Sequence, residues 1–128
     1  MESTGYHFEG ALNRLGGDEE LFRELMIYFV EDAPELLHAI QVGLAAGNAG
    51  GIRRAAHSLR GLAANFDAEQ AMMLAGSIEQ IASKGDSESV APLLADLEAE
   101  VQSLRDVLSR YPYPLQSTRP SSPKRNGR

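Results

Sequence analysis

From residue 22 to residue 44 the chain places Phe22, Met26, Phe29, Ala33, Leu36, Ile40 and Leu44 at steps of three or four residues. That spacing lines one face of an α-helix, whereas on a strand it would scatter the same side chains over both faces. A second stripe, Leu94, Leu97, Val101, Leu104 and Leu108, repeats the pattern near the other end. A chain with two such stripes must bury them against further helices. Over residues 1–110 no strict alternation of apolar and polar residues persists and β-branched residues are sparse. Alanine, leucine and glutamate, all good helix formers, dominate instead.

Turn signals divide this stretch into one short and four long helical segments. The first, over residues 8–15, carries Phe8, Leu12 and Leu15 and stops at Gly16-Gly17. Asp18 is the expected N-cap of the second, which runs to about residue 46, with Glu19 and Glu20 complementing the dipole of its first turn. Pro34 interrupts this helix: it lacks an N–H and clashes with the Val30 carbonyl, so a bend is expected there. Gly47-Asn48 forms the next turn, and Asn48 can cap a third helix reaching about residue 66. Asp67 is the expected cap of the fourth, over residues 68–83, with Leu74, Ile78 and Ile81 facing inward and Met72 and Met73 filling core gaps. The last helix spans about residues 89–110, with Pro92 near its start, where a missing N–H matters least.

The predicted fold is all-α: an antiparallel four-helix bundle with a short extra N-terminal helix, over residues 1–110. Beyond Arg110 the composition turns to Pro, Ser, Arg and Lys, and residues 111–128 read as a flexible tail. The chain has no cysteine, which excludes disulfides, thiolate metal sites and cysteine nucleophiles. With no paired histidines at helical spacing either, neither a metal site nor a cofactor is expected in this chain. No apolar run approaches the ~18 residues of a membrane span, and residues 1–10 lack a signal-peptide core, so a cytoplasmic setting is expected. All 18 acidic residues precede residue 111, together with eight of the 12 basic ones. The other four, Arg119, Lys124, Arg125 and Arg128, follow it, so an acidic body is joined to a basic tail. An acidic body argues against nucleic acid as the main partner. It also makes a local cluster of arginines informative.

Such a cluster lies on the third helix. At about 100° per residue, Ile52, Ala56, Leu59, Ala63 and Phe66 share one side. His57 points the opposite way, with Gly50, Arg53, Arg54, Arg60, Gly61 and Ala64 within about 60° of it. An outward imidazole is a nucleophile in its neutral form. If it took up a phosphoryl group the site would gain roughly two negative charges. Nearby guanidiniums would stabilise that charge by about 1 kcal/mol each at 4 Å in an exposed setting. Gly61 and Ala64 would leave room for another protein to reach the ring. No glycine-rich phosphate loop accompanies the cluster, so the chain is not expected to bind ATP or to phosphorylate itself. Asp96, Glu98 and Glu100 read as the solvated face of the last helix.

The segment Ala56-His57-Ser58-Leu59-Arg60-Gly61, followed by Leu62-Ala63-Ala64-Asn65, resembles the signature of histidine-containing phosphotransfer domains. The segments over residues 14–21 and 31–37 resemble that family's first and second helices, so the likeness covers about residues 8–108. The resemblance implies a phosphorelay intermediate and phosphocarrier, not an enzyme. It would accept a phosphoryl group on His57 from the aspartyl phosphate of a response-regulator receiver domain and pass it to another receiver. Arg60 stands where the family usually has lysine, and Gly61 matches its glycine. Ala64 replaces a frequent glycine, and Asp67 sits where a glycine often makes the turn. Some members orient the imidazole with a glutamine from the fourth helix, a role for which Glu79 and Gln80 are the candidates here. Mg2+ would come from the receiver partner, and the chain would act as a monomer, either free-standing or as part of a hybrid sensor kinase. The alternative is a helical adaptor that binds or sequesters a receiver without carrying phosphate.

Overall fold

The computed structural model describes residues 6–111, and among them the backbone is helical with no strand. Five helices follow in chain order: α1 (Glu9–Arg14), α2 (Glu19–Ala46), α3 (Ala49–Ala64), α4 (Glu69–Ser83) and α5 (Val90–Ser109). A single 3-10 turn, Ser87–Ser89, leads into α5. Helix α2 packs on α3, α3 on α4, α4 on α5 and α5 back on α2, which closes the expected four-helix bundle. Of the expected tail over residues 111–128, residues 112–128 lie outside the described residues. Its first residue, Tyr111, packs its ring on Phe8 and Phe22 at centroid separations of 5.4 and 5.2 Å.

The helix ends follow from local chemistry. The Asp18 carboxylate accepts from the Leu21 N–H at 3.0 Å, and the Asn48 side chain accepts from the Gly51 N–H at 3.0 Å, as their cap positions imply. Asp67 does not cap α4. The residue at that N-cap is Ala68, which makes no side-chain bond. Asp67 instead ends the previous helix in the left-handed region, at φ 53°. There the Asp67 N–H donates to the Ala64 carbonyl and the Ala68 N–H to the Ala63 carbonyl, satisfying two otherwise orphaned acceptors. A side chain in that conformation costs about 1–2 kcal/mol. Arg14 offsets part of this cost from α1: its guanidinium pairs with the Asp67 carboxylate at 3.0 Å and donates to the Ala64 carbonyl at 3.2 Å. Helix α1 is thereby fixed across the end of the bundle where the α3–α4 turn lies.

Helix α2 runs through Pro34 as one element. The Val30 carbonyl, which lacks a donor at Pro34, accepts instead from Arg105 Nε on α5 at 3.2 Å. The core follows the apolar stripes. Phe22, Met26, Phe29, Ala33 and Ile40 of α2 are fully buried, while Leu36 and Leu44 lie at the margin. Every member of the α5 stripe is buried. In α4 the seam is rotated from the predicted one: Ala71, Ala75, Ile78 and Ala82 are buried, whereas Leu74 and Ile81 are only partly so. Alanines let α4 lie close against α3, and the larger side chains then flank the contact. Met73 fills no core gap, since 65% of it is exposed; Met72 is partly buried.

Helices α2 and α3 approach closely at Gly43, where a Cβ would stand 2.8 Å from Ile52 Cγ1 and 3.2 Å from the Asn48 carbonyl oxygen. Gly43→Ala should therefore destabilise the fold by about 1–3 kcal/mol, despite the better helix propensity of alanine. Urea denaturation monitored by circular dichroism measures this directly, and an unchanged or raised midpoint would contradict it.

Candidate functional site

Burial of one face of α3 sets the direction of the other. Ile52, Ala56, Leu59, Ala63 and Phe66 are all fully buried, so the residues opposite them are committed to solvent. His57 stands there with 63% of its side chain exposed. From α4 the Glu79 side chain, only 21% exposed, reaches the ring, with Oε2 at 2.9 Å from His57 Nδ1. The other oxygen, Oε1, lies 3.2 Å from an Arg60 terminal nitrogen, and that nitrogen is also 3.2 Å from His57 Nδ1. A carboxylate only accepts, so the neutral ring carries its proton on Nδ1 and donates it to Glu79. The guanidinium donates to the same carboxylate and has no acceptor at Nδ1 in this tautomer. The second ring nitrogen, Nε2, keeps its lone pair. Arg60 Nε is buried and has no hydrogen-bond partner, so the guanidinium retains an unused donor beside the ring.

The predicted site residues divide by position. Arg60 and Glu79 meet His57 directly. Gln80, the other candidate for orienting the ring, lines an open groove between α3 and α4 together with Arg53, Arg60, Met73 and Ser77. Arg53 thus places a second cation in the groove that Arg60 and Glu79 also line. Arg54 is exposed, and its guanidinium lies near Gly50, toward the start of α3 and away from His57. Ala64 is partly buried, and its carbonyl is occupied by Arg14. At Gly61 a Cβ would meet nothing within 4 Å, and its φ is not in the left-handed region, so nothing inside the chain requires a glycine there. The reading of the sequence passed over Met73 and Ser77 as parts of this surface. Their signal would have been the register of α4, which its alanines obscure.

Comparison with known proteins gives the family. The Hpt domain profile matches residues 24–107, and the chain belongs to the Hpt domain family. Among solved structures, the chain is similar to histidine-containing phosphotransfer protein B (HptB) from Pseudomonas aeruginosa PAO1. The identity is 24%, with a TM-score of 0.76 and coverage of 85% of this chain and 95% of that one. That likeness is one of fold. No curated protein matches the chain. Membership carries a role in histidine phosphotransfer within two-component signalling. Among the described residues no helix is long and apolar enough to cross a membrane.

The geometry has a spectroscopic consequence independent of function. In the neutral ring, 15N-resolved NMR should find His57 predominantly protonated on Nδ1. Glu79→Ala should return it to the Nε2–H form that free imidazole side chains favour, while Glu79→Gln, whose amide oxygen still accepts, should preserve the Nδ1–H form.

Proposed function

We propose that His57 is the phosphoacceptor of a phosphorelay, taking a phosphoryl group on Nε2 from the aspartyl phosphate of one receiver domain and yielding it to another. In the forward step the P–O bond of the acyl phosphate breaks and a P–N bond forms at Nε2. The aspartate leaves as a carboxylate. The Nδ1 proton stays where it is, held by Glu79, and the ring becomes a phosphorylated imidazolium whose positive charge faces that carboxylate. Arg60 offers a guanidinium, and Arg53 a second cation in the adjoining groove, to the charge that develops on the phosphoryl oxygens. The receiver supplies the aspartate and Mg2+, so this chain contributes position and electrostatics, which are the main requirements of phosphoryl transfer.

The observation that carries this reading is an exposed imidazole whose inner nitrogen is bonded to a carboxylate and whose outer nitrogen is free. Such a pair fixes the tautomer and aims the lone pair outward. A ring buried among apolar groups would do neither. Gly61 supports the same reading: a mid-helix glycine costs about 0.5–1 kcal/mol relative to alanine, and the space it leaves serves an approaching protein. Receivers, met singly or through a hybrid sensor kinase, are the proposed partners, with the chain acting as a monomer in the cytoplasm.

Incubation with phosphorylated receivers of the source organism should place an acid-labile, alkali-stable phosphate on the chain, and His57→Gln should abolish it. Glu79→Ala should slow the transfer by about tenfold or more through loss of orientation, with receiver binding unchanged. Receiver binding without any label on the wild-type chain would favour the adaptor reading. A label that survives His57→Gln would refute the assignment. Gly61→Ala should raise stability by about 0.5–1 kcal/mol, whereas Gly61→Trp should leave the fold intact and block transfer, as paired denaturation and transfer assays would reveal.

A further inference from the structure

His57 lies on a ridge between two grooves of opposite character. On the α4 side the groove holds Arg53 and Arg60. On the α2 side an open trough has Leu36 and Leu62 among its lining, and Ser58, Gly61 and Asn65 from α3 complete that edge. Its α2 rim carries two acids, Asp32 and Glu35. Leu36 and Leu62 are partly buried apolar side chains at the margin of the core. Gly61, one turn along α3 from His57, is part of the lining, so the trough borders the surface by which a partner would reach the ring.

We infer that this trough selects the receiver: it takes an apolar side chain of the partner between Leu36 and Leu62, flanked by a lysine or arginine that meets Glu35. The inference rests on the phosphocarrier reading and adds to it the chemistry that decides which receivers are served, and in what orientation. The charge pattern supplies the argument. A partner must present its phosphorylated aspartate in line with Nε2, and one rotated by half a turn would put its basic residue against Arg53 and Arg60. Like charges would then face each other on the α4 side and the Glu35 pairing would be lost, a penalty that rejects misoriented or mismatched partners. Glu35 is exposed on the rim, so it acts through encounter and fit rather than through the chemical step.

The test uses the full chain, a receiver that transfers to it, and phosphoramidate, a small donor that needs no docking surface. With phosphoramidate the P–N bond of the donor breaks, ammonia leaves and the phosphoryl group passes to His57. Glu35→Lys should raise the KM for the phosphorylated receiver by roughly fivefold with kcat little changed, the size expected for reversing one exposed charge pair. Glu35→Gln should flatten the rise of KM with salt concentration, a response that a purely structural residue would not give. The phosphoramidate labelling rate should be unchanged in both variants. A receiver KM and salt dependence equal to the wild type would overturn the inference. A parallel loss of phosphoramidate labelling would overturn it as well, because Glu35 would then act on the site or the fold. Absence of a His57 label from either donor in the wild-type chain would instead bring down the phosphocarrier reading.

Discussion

The hydrogen bond from His57 Nδ1–H to the Glu79 carboxylate is the contact on which the rest of this surface depends. It links α3 to α4, chooses the tautomer and leaves Nε2 as the nitrogen that faces solvent. Its energy is small beside that of the core. A hydrogen bond to a charged group is worth about 1.5–3 kcal/mol where it is shielded and less at an exposed ring, while each fully buried Ile52, Leu59 or Phe66 contributes about 1.5–3 kcal/mol. The fold therefore does not rely on the site, and the site can be altered without unfolding the bundle. This separation lets an exposed histidine and a conformationally costly glycine persist in the middle of a helix.

The same division explains the closed end of the molecule. Phe8, Phe22, Phe66 and Tyr111 gather there with ring centroids 5.2–6.2 Å apart, and Arg14 ties α1 to the strained residue at the α3–α4 turn. The buried core continues from there through Ile40, Ile52, Val90 and Leu94. The His57 ridge along α3 contributes little to it and remains available to partners.

Most of the architecture was legible in the sequence because long helices with regular apolar stripes leave few other ways to bury them. The stripes of α3 and α5 were read residue for residue, as was the outward direction of His57, while in the second half of α2 Leu37 and Gly43 are buried in place of Leu36 and Leu44. The register of α4 was not legible. Its buried seam consists of Ala71, Ala75, Ile78 and Ala82, and alanine carries too little hydrophobic contrast to outweigh Leu74 and Ile81. That ambiguity left Glu79 and Gln80 equally eligible and hid Met73 on the surface. Asp67 failed as a cap for a different reason: its conformation is set by how α3 ends and by an arginine 53 positions away, and local sequence contains neither. Arg54 shows the limit of a helical wheel, since angular position alone does not say toward which end of the helix a long side chain runs.

The most direct measurement is the position of the phosphoryl group on the ring. The chain should be phosphorylated by a receiver with 15N-labelled histidine present and read by 31P–15N correlation NMR. Coupling of phosphorus to Nε2 of His57, with Nδ1 still bearing its proton, is the predicted result. Phosphorus on Nδ1, or on another residue, would contradict the role assigned to Glu79 and with it the orientation of the whole site.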